Sequence, residues 1–245
     1  MHIYILTAGK SKKGLKPNGL KDMPTGQSVL DWQMNIFKKV YPVSNVSVLT
    51  GYKYEEYIKK FPNLNFIVNP YWEKTNAIKT LEKFSNDYDE EVLIAYGDTV
   101  FHEEVIESFS KIKSEIIIGI DSLWKKRFKE RSKKDLNIAE IIQIKNNIEV
   151  EFTGLIKFRK NSFKKIKEIL LKKNINNFIE LIEVILKYKF SIKFFDVKGK
   201  WAELNESNDM VQFVLGTKAE TLENLKTQLK LSYIGDNLII NYGDW

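Results

Sequence analysis

Short apolar runs alternate along this chain with segments of helical spacing, and that rhythm restricts the fold more than any single residue does. Ile3–Leu6, Val46–Thr50, Phe66–Asn69, Val92–Ala95 and Ile116–Ile120 are compact and largely β-branched, as strands buried on both faces are. Between the first two, Ser28 can cap a helix with Asp31 three residues on, and Val29, Leu30, Trp32, Ile36, Phe37 and Val40 supply its apolar side. Ala77, Ile78, Leu81 and Phe84 repeat that spacing, as do Val105, Ile106, Phe109 and Ile112. Strand and helix in alternation predict an α/β fold, a mostly parallel sheet with helices on both faces. At 245 residues the chain can bury such a core as one domain.

The second half changes character. Lys125 to Lys134 is a charge run that reads as an exposed excursion. Strand patterns at Ile138–Ile144 and Ile148–Phe158 flank Asn146-Asn147, a hairpin signal. Helical patterns over 162–172 and 176–189 and a strand at Ile192–Val197 follow. Beyond Gly216, Ala219–Lys230 predicts a C-terminal helical appendage, which divides the chain into a main domain over 1–215 and an extension over 216–245.

Lys and Arg number 39 against 32 Asp and Glu, a net charge of +7 that favours anionic ligands. No zinc spacing, heptad run or aromatic recognition signature accompanies it, so no specific nucleic-acid partner is expected. The absence of cysteine removes thiol nucleophiles and thiolate metal sites and suits a reducing compartment. The apolar run Ile3 to Ala8 is too short for a signal peptide or a membrane span, so a cytoplasmic protein without a membrane partner is expected.

The first strand runs into Ala8-Gly9 and then Lys10, Lys12, Lys13 and Lys16. Small residues let an anion approach backbone amides, and four lysines within seven residues can neutralise a triphosphate, although no Walker pattern is present. A solvated basic loop is the alternative. Asp98 follows a strand and a glycine in Tyr96-Gly97-Asp98. It is presented at the edge where α/β sheets bind ligands and would suit Mg²⁺, unless it is simply a turn residue. Glu203 and Asn205 follow another strand pattern and share a side if that segment is extended, so both could face one metal. With only His2 and His102 available, and no Ser/His/Asp triad, a reaction needing no general base is favoured. Attack by an already anionic phosphate or phosphonate oxygen on phosphorus is such a reaction. Asp121, following Ile116–Ile120, and Trp124 could receive an acceptor's cationic group, or be a turn aspartate and a packed tryptophan.

Five segments in order resemble the sugar-phosphate and choline-phosphate nucleotidyltransferases. Leu6-Thr7-Ala8-Gly9-Lys10-Ser11-Lys12-Lys13 resembles their Gly-rich signature, and Lys21-Asp22-Met23-Pro24 through Val29-Leu30-Asp31-Trp32-Gln33 resembles the segment and helix that follow it. Asn69 to Asn76 is similar to the branch handling phosphocholine and aminoalkylphosphonates, Tyr96 to Phe101 to its metal-aspartate motif, and Trp201 to Met210 to its closing metal-ligand motif.

The resemblance implies a Rossmann-like, GT-A-like fold and Mg²⁺. The reaction it implies is transfer of a nucleoside monophosphate, usually from CTP, to a small phosphate or phosphonate acceptor with release of pyrophosphate. In that scheme Ala8 and Gly9 contact the nucleotide, Lys13 replaces the signature's arginine on the triphosphate, Lys21 binds the attacking oxygen, and Asn76 lies near base or ribose. Asp98 with Glu203 or Asn205 holds the metal. Ser11 stands where the family usually has glycine and Asn205 where many members have aspartate. A sugar-1-phosphate nucleotidyltransferase using UTP or dTTP and a nucleotide-binding regulatory module without turnover are therefore the alternatives. Phe213 to Leu222 resembles a junction after which relatives continue into a phosphotransferase domain, so a kinase-type partner, fused or separate, is a further expectation.

Overall fold

The computed structural model describes residues 1–10, 16–23, 26–85, 90–128, 136, 139–144, 147–205, 209 and 213. The apolar runs form strands β1 (His2–Thr7), β2 (Val46–Thr50), β3 (Asn65–Val68) and β4 (Val92–Tyr96). They are connected through helices α1 (Val29–Phe37), α2 (Tyr54–Lys60) and α3 (Ala77–Phe84). These four strands are parallel and lie in the order β3-β2-β1-β4. The chain therefore builds outward from β1 to β3 and returns on β1's other side, which leaves a switch point between β1 and β4.

A short strand β5 (Thr99–Phe101), helix α4 (Glu103–Lys111), strand β6 (Ile116–Asp121) and a one-turn helix α5 (Trp124–Arg127) come next. Strands β7 (Ile141–Ile144) and β8 (Ile148–Phe158) then pair antiparallel, with Asn147 at φ 57° beside the turn, a conformation asparagine tolerates better than most residues. Helices α6 (Lys160–Lys172) and α7 (Phe178–Lys187) and strands β9 (Ile192–Asp196) and β10 (Trp201–Glu203) complete the described elements. The long β8 runs antiparallel between β4 and β6, so the sheet is mixed in its second half and reads β3-β2-β1-β4-β8-β6-β9, with β7 added on β8. The appendage expected over 219–230 and most of the 125–134 excursion fall outside the described residues.

Alternate residues of each strand feed two cores. Tyr4, Val92, Ile94, Ile116, Ile118 and Ile156 face α3, α6 and α7. Ile3, Ile5, Leu93, Ala95, Ile117 and Leu155 face α1, α2 and α4. Each fully buried isoleucine or leucine contributes roughly 1.5–3 kcal/mol, so the continuous apolar runs follow from a sheet covered on both faces. The predicted start of α1 forms as a capping box: Asp31 N–H donates to Ser28 Oγ, and the Asp31 carboxylate accepts from Ser28 N–H. Asn76 and Asn177 cap α3 and α7 by accepting from Lys79 and Glu180 N–H, and such caps contribute about 1 kcal/mol each. Among the described residues no helix is long and apolar enough to cross a membrane.

Candidate active site

The mouth of the sheet opens where β1 and β4 part. Leu6 is level with Tyr96, so Thr7-Ala8-Gly9 and Gly97-Asp98 leave the sheet side by side. Gly97 N–H donates to Leu6 O at 2.8 Å, and a Cβ on Gly97 would lie 2.3 Å from Thr7 Cβ. That approach admits glycine alone. Among the described residues nothing lies within 4 Å of where a Gly9 Cβ would be, so the start of the predicted phosphate loop is open on that side.

Beside it is a cavity of about 140 Å³ lined by Ala8, Gly9, Trp72, Thr75, Asn76 and Thr80. It brings together three residues assigned from sequence to the nucleotide, Ala8, Gly9 and Asn76. The segment that carries Asn76 is fixed by Asn69, which is fully buried: its amide donates to Thr75 Oγ1 and Thr80 Oγ1, and its Oδ1 accepts from Tyr71 N–H. Asn76 Oδ1 is occupied by its cap, which leaves the amide hydrogens as the group that side chain offers a ligand. Lys10 Nζ lies 5.6 Å from the centre of the Tyr52 ring. Lys12 and Lys13 lie outside the described residues. A larger cleft of about 390 Å³ lies between α7 and the β7–β8 hairpin, away from the switch point and without any of these residues.

On the other side of the mouth, β10 pairs antiparallel with β5, placing Glu203 opposite Thr99 and so one residue from Asp98. Leu204 N–H donates to Asp98 O at 2.8 Å. Lys21, 4% exposed, donates from Nζ to Leu204 O at 2.7 Å. Burial draws its pKa below the ordinary lysine value, while Asp98 and then Glu203 pull it back up. Two carboxylates and one buried ammonium thus converge from three segments widely separated in sequence. Among the described residues no group of three or more His, Cys, Asp or Glu is arranged to hold a metal, so a cation here would take two carboxylates and complete its shell elsewhere.

Three expectations need correction. Asp121 emerges at the anticipated edge, but it is buried: Oδ1 accepts from Leu123 N–H and Gly199 N–H, and Oδ2 from Trp201 Nε1. It ties loops together and is not offered to a ligand. Trp124 is also buried, donates to Glu149 O, and has Lys125 Nζ over its ring at 5.3 Å, so that face already carries a cation. Asn205 does not continue an extended segment from Glu203. Its N–H meets Glu203 O and Asp209 Oδ2 in a tight turn, and the alternation argued for the pair breaks at Leu204.

The structure also adds residues. Tyr57, on α2 and wholly buried, joins Thr7 Oγ1 at 2.6 Å and accepts from Gly19 N–H at 3.0 Å, binding β1's end to the segment that carries Lys21. Asn18 Nδ2 donates to Asp98 Oδ2 at 3.0 Å. Gln33 Nε2 donates at 2.7 Å to both Tyr96 O and Thr99 O. Tyr96 OH reaches Glu140, whose carboxyl is pushed up to about 7 by burial, with Glu203, Asp98 and Glu151 adding to the rise against the Tyr96 hydrogen bond. The Tyr96 ring lies over Gly154 at φ 72°, where a Cβ would meet it at 2.6 Å. His102 begins α4 and packs against Phe213.

No family model matches the sequence. The CTP:phosphoglutamine cytidylyltransferase of Campylobacter jejuni is 22% identical over 253 residues, covering 86% of this chain and 98% of that protein. Among solved structures, the inositol-1-phosphate CTP transferase from T. maritima superposes with a TM-score of 0.58 at 17% identity, covering 85% of this chain and 91% of that one. The CTP:phosphocholine cytidylyltransferase from Streptococcus pneumoniae gives 0.59 at 10% identity, with 85% and 95% covered. The chain has the nucleotidyltransferase fold, and these relatives are cytidylyltransferases of the superfamily and branch that its motifs resemble.

Proposed function

We propose that this protein is a Mg²⁺-dependent cytidylyltransferase that moves CMP from CTP to a small phosphate or phosphonate acceptor. The observation that carries the reading is the pairing of β5 with β10, which sets Glu203 beside Asp98 and both near buried Lys21 at the mouth between β1 and β4. Two adjacent carboxylates are a donor set for a hard dication whose remaining ligands are phosphate oxygens. Bound there, Mg²⁺ would neutralise charge on the triphosphate as the bond to pyrophosphate breaks.

The chain's own residues supply the rest. Ala8 and Gly9 leave the backbone open to phosphate, and the cavity with Asn76 is sized for part of a nucleotide, well below the roughly 300–1,000 Å³ of whole-ligand sites. Lys21, anchored by its hydrogen bond to Leu204 O, is the ammonium that meets the acceptor's phosphate oxygen in this reading. An anionic acceptor oxygen attacks the α-phosphorus, the bond from that phosphorus to the β-phosphate bridging oxygen breaks, and pyrophosphate leaves without a general base. The sequence relative's use of CTP and a phosphorylated acceptor supports the donor and acceptor class.

Pyrophosphate release measured with the four NTPs against phosphocholine, aminoethylphosphonate, phosphorylated amino acids and sugar phosphates tests the reading. CTP with one of the phospho- or phosphono-acceptors should turn over, and Asp98→Ala should lower that rate about a thousandfold in a folded protein. Preference for UTP or dTTP with a sugar phosphate, or near-normal activity of Asp98→Ala, would overturn it.

A further inference from the structure

We propose that Gln33 and Asn18 are positioning residues for Asp98, two amides from separate elements that hold its turn and its carboxylate in place. Gln33 lies on α1 and is 2% exposed. Its Nε2 donates to Tyr96 O and Thr99 O, the two carbonyls that bracket Gly97-Asp98, both at 2.7 Å. Thr99 Oγ1 adds a third hydrogen bond within this turn by donating to Tyr96 O at 3.0 Å. Gln33 Oε1 has no hydrogen-bond partner among the described residues despite its burial. An orphaned buried acceptor costs about 1–3 kcal/mol. The side chain tolerates that orphaned acceptor while its amide hydrogens serve the two carbonyls of the Asp98 turn, so its hydrogen bonding is directed at that turn.

Asn18 acts on the carboxylate itself, donating to Asp98 Oδ2 at 3.0 Å. It lies three residues before Lys21, in the segment that Tyr57 fastens through Gly19 N–H. The acceptor lysine and the metal carboxylate are thereby set in one frame. Neither amide is placed on the substrate, and each acts through Asp98. A displacement of about 1 Å at a reacting centre can cost on the order of a hundredfold in rate.

The inference rests on the role given to Asp98 above, and the experiment separates the two. Gln33→Met and Asn18→Ala are compared with the parent for melting temperature, for kcat and KM with CTP across a Mg²⁺ titration, and for Mn²⁺ binding in the presence of CTP, read from the free-ion EPR signal. Gln33→Met should fold and melt a few degrees below the parent, since it loses two hydrogen bonds while relieving one orphaned acceptor. In both variants kcat should fall about 10- to 100-fold, with KM for CTP within about twofold and a several-fold rise in the metal concentration needed. If Gln33→Met does not fold, Asn18→Ala, at a partly buried site, decides. Parental kcat and Mn²⁺ affinity in the folded variants, with Asp98→Ala inactive, would overturn the positioning role alone. Activity retained by Asp98→Ala would remove both.

Discussion

Two glycines at the same mouth should respond in opposite ways to one added methyl group. In Gly97→Ala the new Cβ would lie 2.3 Å from Thr7 Cβ and 2.8 Å from Leu6 O, whereas ordinary contact begins near 3.4 Å. The end of β1 and the β4 turn must therefore separate by roughly 1 Å, which also strains the 2.8 Å hydrogen bond from Gly97 N–H to Leu6 O. Overpacking costs about 1–3 kcal/mol and the hydrogen bond about 1 more. At roughly 2–4 °C per kcal/mol for a fold of this size, the melting temperature should drop about 5–15 °C. The same displacement moves Asp98 away from the β1 loop, so kcat should fall about a hundredfold. Gly9→Ala meets nothing within 4 Å among the described residues, and Gly9 does not adopt a positive φ. Its stability should match the parent within about 0.5 kcal/mol, while a nucleotide approaching that backbone meets the methyl and KM for CTP rises. Thermal melts with steady-state pyrophosphate release read both arms. A Gly97→Ala protein melting with the parent would refute the close approach, and a Gly9→Ala protein that binds CTP normally would remove Gly9 from the nucleotide site.

Lys21→Met should destabilise by about 1–3 kcal/mol, because Leu204 O loses its donor and Asp98 and Glu203 lose the positive charge that faces them. Acceptor-dependent turnover should fall at least about a hundredfold with CTP binding kept, and a loss of CTP binding instead would reassign the lysine. Asp121→Asn should destabilise by about 2–3 kcal/mol in urea melts, because the amide NH₂ cannot accept from Trp201 as the carboxylate does. A changed acceptor preference at unchanged stability would contradict that role. His2 is lowered from 6.5 to about 4, chiefly by burial beside Ser47, so the folded state binds fewer protons than the unfolded state between those values. Stability should be full above about pH 6.5 and decline as pH falls toward 4. His2→Gln should flatten that decline in urea midpoints, and an unchanged slope would place the effect elsewhere.

The strands and their common edge were readable because each rests on local pattern. Continuous apolar runs of four to six residues report a sheet covered on both faces, and Ser28 with Asp31 announces α1. Asp98 could be placed at the edge because a strand and a glycine precede it. What failed depended on partners distant in sequence. The edge location of Asp121 was sound, but Gly199 and Trp201, nearly eighty residues later, consume its oxygens. The three-residue β5 is too short to show in any pattern, so the pairing that sets Glu203 beside Asp98 was not foreseen. Tyr57 reads as one more core aromatic and Gln33 as one more polar position on an amphipathic helix. Only the fold shows that their polar ends tie the mouth together.

The tie between Leu204 and Asp98 also bears on when the protein becomes competent as it folds. Residues 99 to 101 can pair with 201 to 203 only after the intervening hundred residues, including β6, β8 and β9, have found their places. Closing so long a loop carries an entropic cost that precedes any reward from the contact, and folds rich in such contacts form slowly. Refolding chains should therefore regain sheet and helix content well before they regain turnover, and a partly folded chain would hold the β1–β4 cleft without the second carboxylate.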